Sequence, residues 1–110
     1  TLALEELMLG ADGWVAGLVD AFPRETVVIY ELVQQNRVQE ARELYRWFMP
    51  LLELDIHPKL VQYIKLAEVA TGIGTDNVRP PRLPLVGEER ENVQKIIDDA
   101  LAARPDMPKI

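Results

Sequence analysis

Gly10-Ala-Asp-Gly-Trp-Val-Ala-Gly-Leu-Val-Asp-Ala-Phe-Pro23 is the only stretch of this chain that does not read as helix or helix connector. From Trp14 to Val19 it holds six apolar or glycine positions without a charge, opened by Gly10 and Gly13 and closed by Asp20 and Pro23. A short apolar run between turn signals suits a strand buried on both faces; periodicity alone fits a buried helical turn as well. Alternation would mark a strand with one wet face, and there is none. Strands covered on both faces belong mostly to parallel sheets flanked by helices. One such strand cannot satisfy its own backbone donors and acceptors, so the reading requires neighbours that this chain does not supply.

Working outward, Leu2 to Leu9 predicts a short helix with Glu5 and Glu6 outward and Gly10 as its stop. Downstream, Pro23 suits a first helical turn, and Glu25 suits the positive end of the helix dipole. Val27, Val28, Tyr30, Leu32 and Val33 then wrap most of the way around a helix reaching Gln35. Asn36 can take the left-handed conformation that ends it. Val38, Ala41, Leu44, Tyr45 and Phe48 make an amphipathic stripe, which Pro50 is expected to kink or split. Pro58 opens a helix whose inner face reads Leu60, Val61, Ile64, Ala67 and Ala70, stopped by Gly72 and Gly74. Arg79-Pro-Pro-Arg-Leu-Pro84 is an irregular connector, since three prolines preclude a helix. Val93, Ile96, Ile97, Ala100 and Leu101 set the inner face of a last helix from about Glu88 to Ala103, and Arg104 to Ile110 is expected to be loose. The sum is one strand and about five helices.

At 110 residues the chain makes one domain at most, and 48% hydrophobic with 27% charged residues makes it globular. A net charge of −6 leaves no basic patch to neutralise phosphates, which argues against nucleic acid. The absence of cysteine excludes a disulfide framework and a thiolate metal site, and fits a cytoplasmic protein. No apolar run approaches the roughly 18 residues of a membrane span. The start at Thr1, without initiator Met or signal peptide, suits a piece of a longer protein or a processed terminus.

The chain contains no serine, and Thr1, Thr26, Thr71 and Thr75 have no basic sequence neighbour to make a nucleophile. His57 is the sole histidine and precedes Pro58, so it reads as a surface or capping residue rather than a metal ligand. Lys65 borders the apolar face of Ile64 and Ala67. A buried lysine there could form a Schiff base, while the plainer reading has its stem on apolar surface and its ammonium on a carbonyl or carboxylate. Trp14 and Trp47 read as packing residues, and Glu88 to Glu91 as a solvated first turn. Composition and spacing alone give no catalytic constellation and no cofactor.

Several landmarks in register nevertheless resemble one family. Gly10-Ala-Asp-Gly-Trp-Val-Ala is similar to a G-x-x-G-x-[IV]-[SA] eighth strand, Phe22-Pro23 to the turn after it, and Asn36-Arg-Val-Gln-Glu-Ala41 to the start of the next helix. Pro58, Lys65 and Gly72 resemble a P-x6-K-x6-G helix, and Val78-Arg79-Pro-Pro with Leu83-Pro-Leu resembles the approach to a final helix. Together these resemble the C-terminal third of the dihydrodipicolinate synthase / N-acetylneuraminate lyase family, class I aldolase-type (β/α)₈ barrels with a helical extension.

The resemblance implies a mainly α chain, with residues 1–36 the final α and β/α unit of a TIM barrel and residues 37–110 the helical extension. It implies a Schiff-base lyase or deaminase acting on a small 2-oxo acid, cytoplasmic and homo-oligomeric, without cofactor or metal. The imine-forming lysine and its assisting tyrosine would lie upstream of Thr1, leaving no catalytic residue in this chain. Val15 takes the family's place against the bound oxo acid, Ala16 a small Ser/Ala place, and Gly17 allows close approach. Asp20 departs from the family's Asn. Trp14-Val-Ala-Gly, Tyr45-Arg-Trp-Phe, Lys59 to Glu68 and Arg79 to Leu85 resemble the branch that deaminates pyrroline-4-hydroxy-2-carboxylate. The alternative is a stand-alone helical interaction module, since Asn36 to Tyr45 with Asp55 and Pro58 resembles a tetratricopeptide hairpin, although no second copy appears about 34 residues away. An unpaired strand also predicts self-association of the isolated chain.

Overall fold

The computed structural model describes residues 1–110 as five α-helices with two 3-10 turns and no strand. Helix α1 spans Ala3–Met8, α2 Pro23–Gln34, α3 Val38–Leu52, α4 Leu60–Thr71 and α5 Gly87–Ala102, with 3-10 turns at Leu18–Asp20 and Glu53–Ile56. The fold is mainly α, as expected. Helix α3 is the central element, touching α1, α2, α5 and the second 3-10 turn.

The helix ends follow local chemistry. Pro23 occupies the first turn of α2, where its missing N–H is no loss. Asn36 (φ 59°) ends α2, with the Arg37 N–H donating to the Leu32 carbonyl at 2.8 Å and the Asn36 N–H to Val33 at 2.9 Å. Gly72 (φ 76°) ends α4 in the same way, Ile73 reaching back to Glu68 at 2.9 Å. Such left-handed closures satisfy carbonyls that the last helical turn leaves unpaired.

The core is one cluster fed by every helix. At its centre the Phe22 ring stands edge-on to Phe48 (5.6 Å) and Trp47 (6.0 Å), and those two stack on each other at 5.6 Å. The Trp47 Nε1–H donates to the Ala100 carbonyl at 2.9 Å and ties α3 to α5. The stripe Ala41, Leu44, Tyr45 and Phe48 is buried as its spacing predicts. Each large side chain so buried contributes about 1.5–3 kcal/mol.

Four expectations are corrected. The strand at Trp14–Val19 does not form: Leu18–Asp20 turns as a 3-10 helix, and the residues before it are irregular. No second strand exists here to build a ladder with it, and Val15, expected between two layers, is 103% exposed. Pro50 does not split α3, which runs through it to Leu52 with the proline ring on the exposed side. It lies close enough to the end that the 3-10 turn Glu53–Ile56 takes over within one turn. The face of α4 is rotated, burying Gln62, Tyr63, Ile64, Leu66 and Ala67 while Leu60, Val61 and Ala70 are only half-buried. Contacts on two sides, from α5 and the second 3-10 turn, widen the buried arc. Finally, Arg104–Ile110 is not loose. Arg104 Nε donates to Glu25 Oε1 at 2.6 Å, Arg37 donates to the Lys109 carbonyl at 2.5 Å, and Met107 packs on the core.

Candidate functional site

Residues 11–17 leave α1 and lead into the first 3-10 turn, and two hollows open against them. One hollow, of about 450 Å³, is bordered by the N-terminal residues, Trp14 to Leu18, Phe48, Leu52 and Asp55. The other, of about 360 Å³, lies against Asp12 to Trp14, Ala16, Val19, Val27 and Tyr30. The structure therefore brings Val15, Ala16 and Gly17 to a single cleft, with Val15 standing out from it into solvent.

Gly17 opens the 3-10 turn with helical angles (φ −70°, ψ −46°), which any residue can adopt. The missing side chain leaves the space that a neighbouring carboxylate fills instead. A Cβ on Gly17 would lie 2.2 Å from Asp55 Oδ1 and 2.6 Å from Oδ2. The close approach read from the sequence is thus occupied by a carboxylate from the second 3-10 turn. Nothing local in Glu53-Leu-Asp-Ile56 marks Asp55 as a site residue, because its relation to Gly17 exists only once α3 has folded across the loop. The cleft also holds Glu6 and Thr26, and the Thr26 hydroxyl is committed to the Phe22 carbonyl at 2.8 Å. No lysine or arginine borders it, but the amino terminus at Thr1 does.

A wider groove of about 740 Å³ runs between the start of α2 and the tail, along Pro23, Arg24, Val27, Val28 and Met107 to Ile110. It contains none of the residues read from the sequence and no acid–base pair. We therefore centre the site on the cleft at Val15 to Gly17.

Lys59, Tyr63, Glu89, His57 and Lys65, outside the cleft, are engaged structurally. Lys59 Nζ donates to Glu89 Oε2 at 2.6 Å, and the Tyr63 hydroxyl donates to Glu89 Oε1 at 2.8 Å, fastening α4 to α5. Burial, then the hydrogen bond to Glu89 and its charge, pushes Tyr63 up to about 12. The Lys59 and Tyr63 donors hold Glu89 below the usual carboxylate range. His57 accepts the Lys59 backbone N–H on Nδ1 at 3.0 Å and stacks on Tyr63, so it caps the start of α4. Lys65 Nζ lies 3.4 Å from the Thr75 carbonyl and 3.5 Å from Glu68, the plainer of its two readings. No group of three or more His, Asp or Glu is arranged to hold a metal ion. No helix is long and apolar enough to cross a membrane.

Residues 1–100 match the sequence model described as the Dihydrodipicolinate synthetase family. No curated protein and no solved structure matches the chain significantly.

Proposed function

The chain belongs to the dihydrodipicolinate synthetase family, a family of lyase and aldolase type, and from that premise we propose that it is the C-terminal part of a Schiff-base-forming lyase or deaminase acting on a 2-oxo acid. In this reading residues 1–36 complete a (β/α)₈ barrel, residues 37–110 are its helical extension, and Val15 to Gly17 face the substrate.

One observation carries the reading. From Asp12 to Ala16 no N–H and no C=O takes part in a backbone hydrogen bond within the chain. Water can satisfy the exposed Asp12, Gly13 and Val15, while the partly buried Trp14 and Ala16 keep both backbone edges open, which suits a strand whose two neighbours are supplied from outside it. The two hollows against it and the exposed Val15 agree with that. So does the accessible surface of 6861 Å², against about 6,200 Å² for a compact monomer of this mass. The match over residues 1–100 favours this reading over a tetratricopeptide module.

Catalysis in this reading belongs to a lysine upstream of Thr1, which forms the imine with the substrate carbonyl. The lysines of this chain are poor candidates, because Lys59 and Lys65 each sit against a carboxylate. The motifs at Trp14, Tyr45, Lys59 and Arg79 favour the branch that deaminates pyrroline-4-hydroxy-2-carboxylate, and the whole enzyme is a homo-oligomer. The test is borohydride trapping with pyruvate, followed by peptide mass spectrometry. The product of the whole gene should carry an adduct on a lysine upstream of Thr1, and the 110-residue chain none. An adduct on Lys59 or Lys65, or none in the whole product, would refute the assignment.

A further inference from the structure

His57, Tyr63, Glu89 and Lys59 form one chain of contacts, remote from the cleft, that catalysis leaves without a task. The His57 ring is exposed, between the second 3-10 turn and α4. Its Nδ1 accepts the Lys59 backbone N–H at 3.0 Å, and its Nε2 lies 3.4 Å from the Tyr63 hydroxyl oxygen. That hydroxyl donates to Glu89 Oε1 at 2.8 Å, and Lys59 Nζ donates to Glu89 Oε2 at 2.6 Å. The His57 and Tyr63 rings stack with centroids 4.6 Å apart.

The first of these contacts fixes the polarity of the others. A ring nitrogen that accepts an N–H carries no proton, so the proton of the neutral imidazole sits on Nε2 and points to Tyr63. Each donor then has its acceptor, from the Lys59 N–H through His57 and Tyr63 to Glu89. The bond to Nδ1 secures the first turn of α4, where the Tyr63 N–H donates to the Lys59 carbonyl at 3.1 Å.

A second proton on the ring removes that acceptor, since both nitrogens of an imidazolium are donors. Nδ1–H and the Lys59 N–H would then oppose each other, and the ring has to leave the cap. Around it, α4 supplies the Lys59 cation and Tyr63, α5 supplies Glu89, and the preceding 3-10 turn carries Glu53 and Asp55. Glu89 is one hydroxyl away from Nε2. Lys59 and then Tyr63 hold its carboxyl below the usual carboxylate range, so a charged acceptor stands ready for the imidazolium.

We infer that His57 is a proton-operated switch at the joint between α4 and α5, capping α4 as the neutral imidazole and turning to the Glu89 carboxylate as the imidazolium. Histidine exchanges this proton between about pH 5 and 8, so the cap is present on the alkaline side and lost as pH falls. The element it biases is the first turn of α4, because the following turns are held by the buried Ile64, Leu66 and Ala67. The switch is independent of what the cleft binds.

Amide exchange of the 110-residue chain, followed by NMR at about pH 7.5 and about pH 5.5 and corrected for the intrinsic rate at each, reads the switch at the Tyr63 amide. Its protection should fall about fivefold at the lower pH, the size of one helix cap, while the Ile97 amide within α5 stays within about twofold. His57→Asn, whose side-chain oxygen can accept the same N–H two residues on and does not titrate, should keep the protection at both pH values. His57→Ala should lack it at both. Equal protection of the unaltered chain at the two pH values, a fall of the same size in His57→Asn, full protection in His57→Ala, or a loss shared by Ile97 would each overturn the switch.

Discussion

Removing the Arg104 guanidinium should cost far more than its half-exposed position suggests, because it is the partner of a carboxylate that water cannot reach. Glu25 is 0% exposed at the start of α2, and its Oε1 receives Arg104 Nε at 2.6 Å and a terminal nitrogen at 2.5 Å. Its Oε2 has no partner, so Arg104 is the only side chain that answers this charge. Breaking a buried pair from one side costs about 3–5 kcal/mol, because the surviving charge keeps its desolvation penalty. The Arg104 side chain is 41% exposed, so part of that is screened, while its guanidinium over the Phe22 ring at 5.7 Å adds about 0.5–1 kcal/mol. The expected loss for Arg104→Ala is therefore about 2–3 kcal/mol, or a fall in Tm of roughly 10 °C for a domain of this size. Glu25→Leu should cost less than about 1 kcal/mol, since it removes the buried charge and leaves Arg104 free to swing into water. Adding Arg104→Ala to Glu25→Leu should then cost little more. Urea unfolding followed by tryptophan fluorescence gives all three free energies and their coupling, expected at about 2 kcal/mol. A loss below about 0.5 kcal/mol for Arg104→Ala, or additive costs in the double variant, would refute the view that the tail is latched through this pair.

Two further outcomes follow from the packing. Gly17→Ala should push the Asp55 carboxylate off its place at a modest cost of about 0.5–1.5 kcal/mol, because only the free end of that side chain has to move, and Asp55→Ala in the same chain should recover most of it. Gly13→Ala, with nothing within 4 Å of the new methyl, is the control by chemical denaturation, and equal costs at the two glycines would dispose of the explanation. Tyr63, pushed up to about 12 from an ordinary 10.0, should titrate late in the difference of ultraviolet absorbance between the native protein and Tyr63→Phe. Because its folded value lies above its unfolded one, the stability it confers is complete below pH 10 and is lost as pH rises towards about 12. Glu89→Gln should lower the Tyr63 value without returning it to the ordinary one, burial being the larger cause, and a phenol that already titrates near 10 would contradict the assignment.

The sequence alone determined what depends on neighbours within one helical turn. The spacing of Val38, Ala41, Leu44, Tyr45 and Phe48 is a statement about one helix face, and it holds because a stripe at that period has only one way to meet a core. Asn36 and Gly72 were legible as helix stops because left-handed backbone is a property of the residue itself. The stretch at Trp14 could be recognised as needing neighbours, but its conformation could not be fixed, because a strand exists only by virtue of the strands beside it. What tertiary structure alone decided lies at long sequence separation. The Glu25–Arg104 pair joins the start of α2 to the tail, and Asp55 meets Gly17 only after α3 has crossed the loop. The first pair makes a helix-start glutamate a buried anchor, and the second turns a connector aspartate into a lining of the cleft. A local pattern carries no information about which distant charge or methylene will arrive, since that is set by the packing of whole helices.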